Sequence, residues 1–178
     1  MNKKTFNSRN GFSLIEALIA VAILVVGILS AFLLLIRTTA TVPAMQARLT
    51  ATGLAQEGIE EVRSLRDADF IQGNIFKTFL NNKDCSQASG GCNISINDSG
   101  TVQLLQESEK PLKFDENKYL YSYYSGTPSI FSRRIIIDSD ASHKDYIEVT
   151  VTVKYNIKGT AQTVVAKDRL YNWLNPNS

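Results

Sequence analysis

The sequence predicts an α+β protein: one long N-terminal helix, membrane-spanning in its first half and amphipathic in its second, packed on a small antiparallel sheet of about four strands. Three observations carry this. An apolar run stands at Ala17 to Ile36, a helical period follows it from Ala44 to about Asp67, and strict alternation marks the last third.

The run ALIAVAILVVGILSAFLLLI is broken only by Gly27 and Ser30. Twenty helical residues at about 1.5 Å each extend about 30 Å, the thickness of a bilayer's hydrocarbon core. The segment can therefore span a membrane, and the polar remainder offers no second crossing. Lys3, Lys4 and Arg9 precede it, and subtracting their three charges from the net +2 leaves −1. The basic balance thus belongs to a leader of residues 1–11. Positive charge before an apolar span predicts a cytoplasmic N-terminus and an outward-facing C-terminal part. The leader is no ordinary secretory signal, because Ala20-Val21-Ala22 has the form of a cleavage site but lies inside the run.

Glu16 is the one ionisable side chain near the start of this run. A charge buried in hydrocarbon costs about 2.5 to 3.5 kcal/mol on insertion scales, so it calls for a partner or a place at the interface. Both readings stand on composition alone.

Arg37 closes the run, and Pro43 predicts a kink or a restart. Beyond it Ala47, Ala51, Leu54, Ala55, Ile59, Val62 and Leu65 fall on one helical face, with Arg48, Gln56, Glu57, Glu60, Glu61, Arg63 and Arg66 assigned largely off it. Residues 37–69 are expected to continue the helix into a head of residues 70–178. An alanine-rich stripe of about three heptads that contains Gly53 and Gly58 argues against a coiled-coil stalk.

Residues 70–100 read as a connecting region, with NNKDCSQASGGCNISINDSG as loop. Its cysteines, Cys85 and Cys92, are disulfide candidates in an oxidising compartment, whereas a reducing one would leave two free thiols. Asn93-Ile94-Ser95 and Asn97-Asp98-Ser99 fit the short glycosylation pattern, to which no function is attached. Strands are expected at Lys118 to Tyr124, Ile130 to Asp138 and Ile147 to Tyr155, the last alternating Ile147, Val149, Val151, Val153 and Tyr155 with polar residues. Asn156 to Gly159 reads as a turn, after which Thr160 to Leu170 returns as a hairpin.

Residues Gly11 to Ala22, GFSLIEALIAVA, behind the basic leader, resemble the processing site of the type IV pilin superfamily, which includes pilus subunits and type II secretion pseudopilins. The resemblance implies cleavage between Gly11 and Phe12 by a prepilin peptidase, methylation of the new N-terminal Phe12, and an assembly role for Glu16. It also implies as partners other pilin or pseudopilin subunits, the peptidase/N-methyltransferase, and the cytoplasmic membrane before assembly. The subunit would sit in that membrane with its N-terminus in the cytoplasm and its head outside, then enter a pilus or periplasmic pseudopilus. The closing hairpin and Tyr171-Asn172-Trp173-Leu174 resemble minor pilins of the PilV-like type.

The physical logic of Glu16 follows from cleavage. The new α-amino group, with a reference pKa of about 7.7 to 8, is largely positive at neutral pH. Glu16 can pair with its own Phe12 amine or a neighbour's, and breaking a buried pair costs about 3 to 5 kcal/mol.

No nucleophile elbow, P-loop or HExxH motif occurs, so no catalytic residue, cofactor or enzymatic activity is expected. His143 is the only histidine, and no metal site is expected from it with two cysteines. Asp138, Asp140 and Asp145 lack the spacing of an EF-hand loop. Arg133-Arg134 with Tyr119, Tyr121, Tyr123 and Tyr124 leaves DNA binding as a minor reading. A pilus-tip adhesin bound to a host surface and a single-pass anchored protein that never assembles are compatible with the same helix and head.

Overall fold

The structure, a computed structural model, describes residues 11, 13–74, 76, 78–80, 83–96, 102–105, 110–139 and 145–173. They form a helix α1 (Leu14–Ile71), a short 3-10 turn (Thr78–Leu80) and seven strands. The chain divides into two compact units, Met1–Met45 and Gln46–Ser178.

The first unit holds the apolar part of α1. Its large side chains from Leu14 to Ile36 are exposed throughout. Ser30 Oγ donates to the carbonyls of Val26 and Gly27, at 2.8 and 2.9 Å, so its hydroxyl is satisfied within the helix, as hydrocarbon requires. Of the kink or restart expected at Pro43, the restart does not occur: α1 is helical through it. Proline removes one N–H, and the threonines before it turn back onto the helix. Thr38 donates to Leu34 and Leu35, Thr39 to Leu35 and Ile36, and Thr41 to Thr38.

In the second unit, α1 lays Ala51, Leu54, Ala55, Ile59 and Val62 against the sheet, with Ala47 and Leu65 packed at the margin. This is the predicted stripe. Two residues assigned to its polar side, Glu61 and Arg66, are buried instead, because each has a partner: Arg133 for Glu61, and Asp67 with the Tyr171 carbonyl for Arg66.

Strands β1 (Asn93–Ile96) and β2 (Val102–Leu105) form a two-stranded antiparallel sheet. The other five, β3 (Pro111–Asp115), β4 (Leu120–Ser122), β5 (Thr127–Asp138), β6 (Tyr146–Ile157) and β7 (Thr160–Tyr171), make one antiparallel sheet ordered β4-β3-β5-β6-β7. Five strands and a separate pair replace the four expected, within the predicted α+β class. On β6 the alternation is realised: Ile147, Val149, Val151, Val153 and Tyr155 are buried and pack with α1 in one core.

The strand expected at Lys118 to Tyr124 shrinks to Leu120–Ser122. Asp115 Oδ1 accepts hydrogen bonds from the backbone N–H groups of Asn117 and Lys118, which fixes a turn, and Tyr119 follows with φ 52°. Tyr119, Tyr121 and Tyr123 therefore do not line one strand face. The expected loop at 93–96 is likewise a strand, short but anchored by the fully buried Ile94.

Candidate functional site

The N-terminal segment is built from the start of α1. The Ser13 carbonyl accepts the Ala17 N–H at 3.2 Å, so helical hydrogen bonding begins there, with Glu16 in the first turn. A carboxylate at this end faces unpaired N–H groups and the positive end of the helix dipole, which favours it. Gly11 is exposed, and a β-carbon built on it meets nothing within 4 Å. Phe12 and residues 1–10 lie outside the described residues.

Glu16 is exposed, as are Leu14, Ile15, Leu18 and Ile19 around it. Among the described residues α1 is the one helix long and apolar enough to cross a membrane, and none of its most apolar window is buried within the fold. A core helix of a water-soluble protein would bury that surface. Here the apolar side chains and their one acid are all presented outward.

Cys85 and Cys92 are joined in a disulfide. Both are buried, and the loop they close is stitched to β5: Ile137 N–H donates to the Cys85 carbonyl at 2.9 Å, and Cys92 and Ile135 exchange hydrogen bonds of 2.7 and 2.8 Å. The loop thereby covers the part of β5 that β3, paired over Thr127 to Ser132, leaves open.

Of the residues in the DNA-binding reading, Tyr119 and Tyr124 are exposed, but two others are taken up by the core. Arg133 is 1% exposed and committed to carboxylates and carbonyls of the core, while Tyr123 is half-buried with its hydroxyl donating to the Arg133 carbonyl. Asn93 is buried in β1, which removes it as a glycosylation acceptor; Asn97 lies outside the described residues, as do Asp140 and His143. Among the described residues no cluster of three or more His, Cys, Asp or Glu could hold a metal ion. Sequence reasoning missed Arg133 as a core residue. The signal was its parity: Phe131, Arg133, Ile135 and Ile137 share one face of β5.

The helix with its outward apolar surface and the head define the class: an α+β protein whose N-terminal helix is long and apolar enough to cross a membrane. Residues 6–32 match the family model described as the prokaryotic N-terminal methylation motif, which indicates a type IV pilin-like prepilin over that segment of the chain. The family is one of structural subunits rather than enzymes, and the motif implies a prepilin peptidase and other pilin subunits as partners in general. No curated protein matches the chain, and no solved structure does.

Proposed function

We propose that the chain is a structural subunit, of the minor kind, in a type IV pilus or type II secretion pseudopilus. It is cut between Gly11 and Phe12 and methylated at Phe12. It then waits in the cytoplasmic membrane, held by residues 12–36 with its head outside, before assembling. Residues 37–69 carry the helix into the head of residues 70–178. The observation that supports this reading is the wholly outward-facing apolar surface of α1 from Leu14 to Ile36, with Glu16 at its start and the methylation motif over it.

Assembly exchanges lipid for neighbouring helices at little cost in apolar contact, so the specific term is electrostatic. A Glu16 carboxylate paired with a Phe12 ammonium fixes the register of one helix against the next, since an unpaired partner in that setting costs about 3 to 5 kcal/mol. Replacing Glu16 with alanine in the native host tests this. The variant is expected to be cleaved and to remain in the membrane fraction, absent from sheared filaments or purified pseudopili. Incorporation at the wild-type level would contradict the assembly role, and a wild-type chain found in no filament would leave only a membrane anchor.

A further inference from the structure

Two carboxylates of α1 converge on one buried guanidinium. Glu57 and Glu61 stand one helical turn apart, and Arg133 enters between α1 and the sheet from β5. Arg133 Nη2 lies 2.7 Å from Glu61 Oε2, and Nη1 lies 3.5 Å from Glu57 Oε1. The same two nitrogens donate to the backbone, Nη2 to the Ile94 carbonyl at 2.7 Å and Nη1 to the Leu54 carbonyl at 3.3 Å. Their hydrogens are thus divided between carbonyls and carboxylates. Glu61 Oε2, despite its ion-pair contact, has no in-line hydrogen bond, and Arg133 Nε has no hydrogen-bond partner.

The charge count is uneven. With both carboxylates ionised the cluster holds two negative charges against one positive, and like charges four residues apart on a helix repel. Glu61 is only 7% exposed, so water does little to screen its own charge, whereas the Glu57 side chain is 44% exposed and meets solvent. A single proton makes the cluster neutral. Among the described residues the other groups that face it do not supply one: β1 offers the Ile94 carbonyl, β6 the apolar Val151, and the segment after β4 the Tyr123 phenol. That phenol is pushed up to about 12 by burial and stays neutral. There is also no slack. Gly58, between the two glutamates in sequence, lies so close to the sheet that a β-carbon there would stand 2.9 Å from Val151 Cγ1 and 3.3 Å from Arg133 Cδ.

We propose that Glu57, Glu61 and Arg133 form a one-proton latch between the head part of α1 and β5, tighter with the proton bound than without it. In support, burial pushes the Glu61 carboxyl from 4.5 up to about 7; the Glu57 charge adds to this, and Arg133 opposes it only in part. Because the folded carboxyl then holds its proton more tightly than the unfolded one, the linked stability is complete below about pH 4.5. It falls as pH rises from there and is gone above about pH 7. A head outside the cytoplasm would meet the pH of the medium, and only that setting rests on the proposed function; the linkage is a property of the fold.

The test uses the full chain in detergent micelles with carboxyl-labelled glutamate, followed by NMR, alongside denaturation from pH 4.5 to 8. One glutamate is expected to titrate near neutrality in the wild type, to vanish in Glu61→Gln, and to move to lower pH in Glu57→Gln. The folded-to-unfolded ratio of the wild type should fall about tenfold per pH unit between about 4.5 and 7, and Glu61→Gln should lack that slope. The latch is overturned if every glutamate titrates in the ordinary range or if Glu61→Gln keeps the slope. Should Glu61→Gln fail to fold, an unmoved titration in Glu57→Gln overturns it equally. Neither result depends on whether the chain enters a filament.

Discussion

Gly58 of α1 and Val151 of β6 are in close contact across the core: a β-carbon on Gly58 would approach Val151 Cγ1 to 2.9 Å and Cγ2 to 3.2 Å. Val151 is fully buried and, being β-branched, has little rotamer freedom with which to yield. Ala55 and Ala51, about one and two turns earlier, are fully buried on the same helix.

Gly58→Ala should therefore destabilise the head even though alanine is the better helix former. Overpacking of about 1 to 3 kcal/mol outweighs a propensity gain of about 1 kcal/mol. Gly53→Ala is the control, because a β-carbon there meets nothing within 4 Å. It is expected to gain about 1 kcal/mol. Chemical denaturation of the two variants in parallel checks the opposite signs.

The Cys85–Cys92 bond closes a loop whose backbone completes the edge of β5. The loop-entropy model assigns a closure of this size about 2 to 3 kcal/mol. The double variant Cys85→Ser, Cys92→Ser should lose at least that much, since two hydroxyls would replace buried sulfur. Thiol labelling of the native wild type should stay negligible under mild reductant and appear once denaturant is added, because both cysteines are buried.

The β6–β7 turn consists of Lys158 and Gly159, both with positive φ, 51° and 82°. Such a two-residue turn suits glycine at the second position and asparagine at the first, and lysine in the left-handed region is strained. Lys158→Asn should raise stability by about 0.5 kcal/mol and Gly159→Ala should lower it by about 1 kcal/mol or more. Thermal melts monitored on the sheet signal distinguish the two.

What could be read from the sequence was whatever a single period controls. The apolar run, the stripe from Ala47 to Leu65 and the alternation of β6 each report one exposed or buried face, and each matches the structure. Features set by pairs distant in sequence stayed hidden. Arg133 and Glu61 look like solvated charges until each supplies the other's partner across a separation that no local pattern records. Strands β1 and β3 are short and flanked by turn residues, so only their pairing with β2, β4 and β5 makes them strands. At Pro43 the helix continues because proline removes a single hydrogen bond from a long helix; the neighbouring threonine hydroxyls bond other carbonyls, such as those of Leu35 and Thr38.

The most direct test of the pilin reading is the intact mass of the protein recovered from its native host. A species that begins at Phe12 and carries one added methyl group is the predicted result, since it requires cleavage after Gly11 and modification of the amine that Glu16 is proposed to meet. A mass that retains residues 1–11 would contradict it.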